Sequence, residues 1–325
     1  MRLNKKLAKP LYSTPLYILK TFAILYMKRA LIILASALLF TNCNNNNSND
    51  LPAYIDRDNI NANVSGNKYA TRTEIPYITD DDLFITHSTT TNGKESVNFS
   101  IAHSPERKHS RWVAFTFDPS NRAKNWNRNN WDNTSWGGDP FQPDPAMPYS
   151  YVFTKDEINR NGYVRGHLVA SADRLQSKDA NEQTFYYSNI SPMLSRFNEG
   201  KWLELEGKVQ GWGRNSGFCD TLFVVKGGTI REGEYKSVTN DNGLTCKTVP
   251  LYYYMALLCR YKDTYKAAGF YFEHKNYLNG NLSDYAMTID ELEDKTGIDF
   301  FCNLPDKLEK AVEQYFSPTQ WTGLK

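Results

Sequence analysis

The sequence predicts an α+β fold on three observations. Segments with strand signals outnumber those with helix signals, the helical segments are scattered among them, and no strand–helix–strand rhythm recurs to suggest a doubly wound sheet. The 325 residues suffice for one or two domains, with apolar content ample for one sizeable core. The formal charge of +2 is nearly neutral and no Lys/Arg block is present. A polyanionic partner would have to be met by local clusters of cations.

Taken in order, the chain starts with a segment that does not read as part of the fold. Met27-Lys28-Arg29, the apolar run Ala30 to Phe40 and Thr41-Asn42-Cys43 have the layout of an export signal, with Met27 as the expected start. The apolar run is shorter than the ~20 residues a membrane-spanning helix needs. Cys43 stands where a bacterial lipoprotein signal carries its lipidated cysteine, so an exported, membrane-anchored protein is expected, with plain secretion as the alternative. The expected organisation is an export segment at 1–43, a polar tether and lead-in at 44–82, and a folded domain at 83–325. Setting Cys43 aside, Cys219, Cys246, Cys259 and Cys302 remain. This even number suits disulfides in an exported chain, and three pairings stay open.

Strand signals begin at Leu83-Phe84-Ile85 and Val97 to Ile101, where apolar and polar residues alternate, and continue in the bulky run Arg111 to Phe117. Asn121 to Ser150 is a loop far longer than compact domains usually need, and such loops are often functional. It carries Arg122, Lys124 and Arg128 among Trp126, Trp131, Trp136 and Phe141, a mixture that suits phosphates and bases. Pinning of the loop by its aromatic residues is the plainer alternative. Further strands are expected at Thr221 to Val225, Leu251 to Leu258 and Ala267 to Phe272. Thr288-Ile289-Asp290-Glu291 is a capping box that opens a short helix closed at Thr296-Gly297. Leu304-Pro305 begins a last helix with Leu308, Ala311 and Val312 as its expected buried stripe.

Chemistry concentrates between Tyr163 and Glu206. Hydrolysis of a phosphodiester requires a base for water, positive charge for the transition state and help for the leaving oxygen. His167 suits the first task, because its unperturbed pKa lies near neutrality. Arg165 either binds a phosphate oxygen or pairs with a carboxylate, and Gly166 permits a tight backbone path. Asn198 opens a helical segment in which Asn198, Trp202 and Glu206 are each four apart and share one side. Asn198 and Glu206 would lie roughly 12 Å apart along the axis, too far to share an ion directly but within reach through water. A single Asn ligand is chemically sensible for Mg²⁺, which keeps most of its water.

These segments resemble the DNA/RNA non-specific endonuclease family of ββα-metal (His-Me finger) nucleases. The family signature reads Asp-Arg-Gly-His, then Ser-Asn-x-x-Pro, then Asn-x-Gly-x-Trp-x-x-x-Glu. Here it is met by Val164-Arg165-Gly166-His167, Ser188-Asn189-Ile190-Ser191-Pro192 and Asn198 to Glu206. The similarity extends over roughly Leu83 to Trp321. It implies a ββα-metal fold with a mainly antiparallel central sheet flanked by helices, and a Mg²⁺-dependent enzyme (Mn²⁺ or another divalent cation being alternatives). Such an enzyme would cut DNA and RNA with little sequence preference and leave 5′-phosphates. By position, the resemblance implies His167 as general base, Asn198 as direct metal ligand and Glu206 as contact to the ion's water. It implies Arg165 and Asn189 as phosphate-binding or supporting groups, and Arg128 or Arg122 as the substrate arginine. Val164 departs from the signature aspartate, and Phe185 stands where some members carry asparagine. A surface module that keeps the fold but only binds is the competing expectation.

Overall fold

The computed structural model describes residues 59–324 except 65, 92 and 131–137. The expected export segment with Met27 and Cys43, the tether as far as residue 58, Trp131 and Trp136 lie outside the described residues. Eleven strands are found among the described residues: β1 (Leu83–Thr91), β2 (Lys94–Ser104), β3 (His109–Phe117), β4 (Val164–His167), β5 (Ile190–Met193), β6 (Thr221–Gly228), β7 (Tyr235–Thr239), β8 (Thr245–Pro250), β9 (Tyr252–Tyr261), β10 (Thr264–Glu273) and β11 (Ala286–Met287). The helices that matter below are α1 (Lys155–Asn159), α2 (Lys178–Gln183), α3 (Leu203–Arg214), α4 (Ile289–Thr296) and α5 (Asp306–Glu313).

Seven strands form one antiparallel sheet in the order β1-β2-β3-β6-β9-β10-β11, with β4-β5 and β7-β8 as separate two-stranded ribbons. Helices are scattered between strands, so the α+β expectation holds. Along β3, Val113, Phe115 and Phe117 enter one core layer, while Trp112 and Ala114 enter the other. Side chains of a strand alternate between faces, so a strand covered on both sides reads as an unbroken apolar run. The first layer is completed by Leu168, Ile190, Met193, Trp202, Leu205 and Val209, all from the signature region. The second is closed by Ile289, Leu292, Phe300 and Val312, on or between the two C-terminal helices. The sheet thus separates the candidate site from α4 and α5.

Thr288 caps α4 with the expected reciprocal box to Glu291, and Gly297 ends it at φ 66°, a left-handed position where a Cβ is unfavourable. In α5 the inward face differs from expectation. Ala311 is exposed, Leu308 is half-buried, and Glu309, Val312 and Glu313 are buried. The helix is rotated so that two carboxylates turn toward the protein.

The folded body also starts earlier than the expected boundary at Leu83. Asn59 Nδ2 donates to the Leu304 carbonyl at 2.7 Å, Asn61 Nδ2 to Glu309 at 2.7 Å and Asn63 Nδ2 to the Pro76 carbonyl at 3.0 Å. Ile75 is fully buried. A polar stretch can dock when its amide side chains satisfy backbone and carboxylate groups, which an apolar-pattern reading does not see. Cys219, Cys246, Cys259 and Cys302 are free, buried thiols instead of the disulfides that their even number suggests. Of the three pairings, Cys219 with Cys259 brings two thiols within hydrogen-bonding reach.

Candidate active site

The site is built on two short strands and one helix in chain order. In the β4-β5 ribbon, Arg165 faces Pro192, Gly166 faces Ser191 and His167 faces Ile190. A Cβ on Gly166 would lie 2.9 Å from the Met193 Cβ and closer still to its Cγ and Sδ, so the close approach of the strands requires glycine. Asn189 locks the turn beyond His167. Its Oδ1 accepts from Val169 N–H at 2.8 Å, and its Nδ2 donates to the carbonyls of Val169 (2.9 Å) and Thr184 (2.7 Å). The residue is fully buried. Of the two roles expected for Asn189, the geometry is that of support, with no amide group left for phosphate.

After β5 the chain turns through Ser195–Phe197 into an irregular π-like turn, Asn198–Trp202, kinked at Gly200 (φ −100°, ψ −120°), before α3 begins. The expected straight helix carrying Asn198, Trp202 and Glu206 on one side is therefore interrupted. Wide turns of this kind occur frequently at functional sites. Trp202 is buried against Phe197 and Tyr253, which anchors the turn, while Asn198 is only partly buried. The Asn198 side chain makes no hydrogen bond among the described residues. Helix α3 is tied to the loop after His167 by Gln210 Nε2 donating to Asp173 at 3.0 Å and by Arg214 donating to the Ala172 carbonyl at 2.7 Å.

The five histidines can be compared directly. His87 bonds Asp144, His103 bonds Ser110 and the Tyr151 carbonyl, and His109 bonds Ser191 and the Ser110 carbonyl. His274 accepts from Leu194 N–H and donates to the Pro250 carbonyl. His167 alone makes no hydrogen bond among the described residues, and its Nε2 is shielded from solvent without a partner. An orphaned ring nitrogen in a native interior calls for an explanation, and a catalytic role is one. The ring is held edge-on to Phe185 (centroids 5.0 Å apart) and beside Phe141 (5.4 Å). Burial first, then the charge of Arg128, with Lys226 and Arg165 also contributing against Asp173, holds its pKa down at about 3. The imidazole is therefore neutral throughout the neutral range.

The two candidate arginines of the long loop differ. Arg122 is engaged by the carbonyls of Cys219 (3.4 Å) and Asp220, so it fastens the loop to the start of β6. Arg128 is exposed and its charge bears on His167. Arg165 takes the second of its two expected roles. Its Nη1 lies 3.0 Å from both oxygens of Asp139, and its guanidinium sits 3.7 Å over the Phe141 ring. Asp139 thus supplies, from the long loop, a carboxylate beside the site that Val164 lacks.

Beneath the site, Lys226 and Asp173, which had no role in the sequence reading, meet Glu206, which did. Lys226, fully buried on β6, donates to Asp173 at 3.0 Å and to Glu206 at 3.1 Å. Burial alone would lower Lys226, but the two carboxylates outweigh it and leave its pKa raised. Burial pushes Glu206 up to about 7, with Lys226 opposing and Asp173 adding to the rise. The one hint in the sequence was a lysine closing the apolar run Thr221-Leu222-Phe223-Val224-Val225.

The residues fit a hard divalent cation. An amide oxygen at Asn198 with no hydrogen bond among the described residues is the type of ligand such ions take. Two antiparallel strands followed by a helix, with His167 on the first strand and Asn198 at the helix entrance, form the ββα-metal arrangement of the fold. The chain belongs to the DNA/RNA non-specific endonuclease family, whose sequence profile matches residues 79–307. It is 26% identical over 231 residues to the mitochondrial nuclease EXOG of Xenopus laevis, covering 66% of this chain and 60% of that one. It is 26% identical over 179 residues to the mitochondrial endonuclease G of Caenorhabditis elegans, covering 50% and 54%. Similarity to nuclease C1 of Cunninghamella echinulata var. echinulata is 27% over 173 residues, covering 51% and 66%. The chain therefore spans about half to two thirds of the lengths of these relatives. In fold it is similar to a chain in the crystal structure of the EndoG/EndoGI complex, with a TM-score of 0.53 at 18% identity, covering 69% of this chain and 89% of that one.

Proposed function

We propose that this chain is a divalent-cation-dependent endonuclease that hydrolyses DNA and RNA with little sequence preference, and that His167 takes the proton from the attacking water. The observation that carries this reading is the state of His167: of the five histidines it alone makes no hydrogen bond among the described residues, and it is neutral at physiological pH. A divalent cation held by the Asn198 amide oxygen, with Mg²⁺ the first choice, supplies positive charge for the phosphoryl transition state and the leaving oxygen. Phe141 and Phe185 fix the plane of the imidazole, and Asn189 fixes the backbone that carries it. Arg128 is the cation that meets a phosphate, and contact with the backbone alone makes binding indifferent to sequence. Glu206, on α3 beyond the Asn198 turn and paired with Lys226, is the carboxylate that would act toward the ion's water.

Incubation with supercoiled plasmid and with structured RNA, with Mg²⁺ and then with EDTA, tests the reading. Both substrates should be cut in Mg²⁺ and neither after chelation. Intact nucleic acid in the presence of Mg²⁺, Mn²⁺ and Co²⁺ alike would instead favour a binding module built on the same fold.

The role of Lys226 gives a second expected result. Lys226→Met removes the main influence that lowers the Glu206 pKa, so this carboxylate should ionise only at higher pH. Cleavage at pH 7 should fall roughly fivefold, and the pH profile should shift toward alkaline values by about one unit. Leaving two buried carboxylates without their cation should also cost ~3–5 kcal/mol of stability. The assay therefore belongs well below the unfolding midpoint, with folding checked by circular dichroism. An unshifted pH profile in the folded variant would show that ionisation of Glu206 does not limit the reaction.

A further inference from the structure

On the opposite face of the sheet from His167 and Asn198, the rotated helix α5 brings Glu313 against Asp290 and Glu293 of α4. One carboxylate oxygen of each lies within 4.8 Å of the other two. Points so spaced can all lie ~2.8 Å or less from a common centre, a slight contraction away from the 2.3–2.6 Å of Ca²⁺–oxygen bonds. Acidic clusters are common without an ion, and the second observation concerns Glu313 itself. The residue is 5% exposed, and its Oε1 is enclosed without a hydrogen-bond partner. None of the three carboxylates forms an ion pair among the described residues, and the one bond to this trio from outside α4 is Phe300 N–H to Glu293 Oε1 at 2.8 Å. Asp299 and Glu309 add further negative charge nearby and are served by the Asn61 amide.

A buried carboxylate with like charges around it and no donor is costly unless a cation or a proton joins it. We propose that Asp290, Glu293 and Glu313 bind a structural Ca²⁺ that clamps α4 to α5. Three hard, anionic oxygens exclude soft metals, and the unequal exposure of the carboxylates leaves room for water in the remaining positions. Ca²⁺ suits such a flexible, partly hydrated shell better than Mg²⁺, which demands a regular octahedron. The site is independent of the reaction, because α4 and α5 close the core layer on the far side of the sheet.

The test uses the full chain stripped with chelator and returned to metal-free buffer at pH 7.5. Calcium binding is measured by equilibrium dialysis with ⁴⁵Ca²⁺ and Tm by calorimetry, in wild type, Asn198→Ala, Glu293→Gln and Glu313→Gln. Asn198→Ala should take up one Ca²⁺ per chain and wild type at least that one, and both should gain about 5 °C or more in saturating Ca²⁺. Glu293→Gln and Glu313→Gln should lose at least about tenfold in affinity for that ion, together with the Tm gain. In metal-free buffer Glu313→Gln should be about as stable as wild type, since burial and the neighbouring Glu293 push the Glu313 carboxyl up to about 10 and leave it neutral there, so loss of binding cannot be ascribed to misfolding. The proposal is overturned if Asn198→Ala takes up no Ca²⁺. It is equally overturned if the two glutamine variants bind Ca²⁺ and respond to it as wild type does, or if the carboxylates simply share protons and Ca²⁺ leaves Tm unchanged.

Discussion

His167→Ala should lower kcat/KM for plasmid cleavage by about 10²–10⁴-fold, the usual contribution of a positioned general base. Binding of DNA to the variant, measured with Ca²⁺ in place of Mg²⁺, should change little, because the ring carries no net charge at neutral pH. The low pKa of about 3 sets the sign of the pH dependence. Above that value the imidazole is free to accept a proton, so the acid limb of the wild-type profile should not reflect His167. Glu206, pushed up to about 7, is the group placed to set it. Truncation opens a hole between Phe141 and Phe185, so added imidazole should restore part of the lost rate. Undiminished cleavage by the alanine variant would remove His167 from the mechanism.

Asn198→Ala should reduce cleavage by about 10²–10³-fold at fixed Mg²⁺, the scale of removing one preorganised electrostatic contact at the reacting centre. Two features separate this loss from that of His167. Raising Mg²⁺ should recover part of the activity, whereas the histidine variant should not respond. Asn198→Asp should also bind the cation more tightly than wild type, because a carboxylate replaces an amide at the same position. Because the Asn198 side chain makes no hydrogen bond among the described residues, the comparison is clean. Identical Mg²⁺ dependence in wild type and Asn198→Ala would assign the ion to other ligands.

The middle of the central sheet was legible because β3 and β6 are covered on both faces and read as unbroken apolar runs. Arg111 to Phe117 and Thr221 to Val225 announce themselves by composition alone. Helix α4 was legible through its caps, a local signal that needs no partner. The strands β4 and β5 have four residues each, too few for a periodicity, and stood out only through the motif they carry. The turn at Gly200 was hidden because Asn198, Trp202 and Glu206 keep a spacing of four that reads as a straight helix. Partners across long loops were invisible for another reason. Lys226 meets Asp173 and Glu206 from 53 and 20 residues away, and Arg165 meets Asp139 from 26. Nothing in one-dimensional spacing records such encounters, and the inward rotation of Glu313 in α5 was concealed in the same way.

Strand β6 is the fourth of seven in the sheet, so the ammonium beneath Glu206 grows from the middle of the molecule, while Arg128, Asp139 and Phe141 ride on the peripheral loop. The anchored half should therefore show the slowest amide exchange in the protein, opening only with global unfolding. The loop half reaches the site through Asp139 on Arg165 and Phe141 beside His167, and a substitution there leaves Lys226 and its two carboxylates in place. The way substrate is met can thus be altered at the rim while the charges beneath the chemistry stay anchored in the sheet.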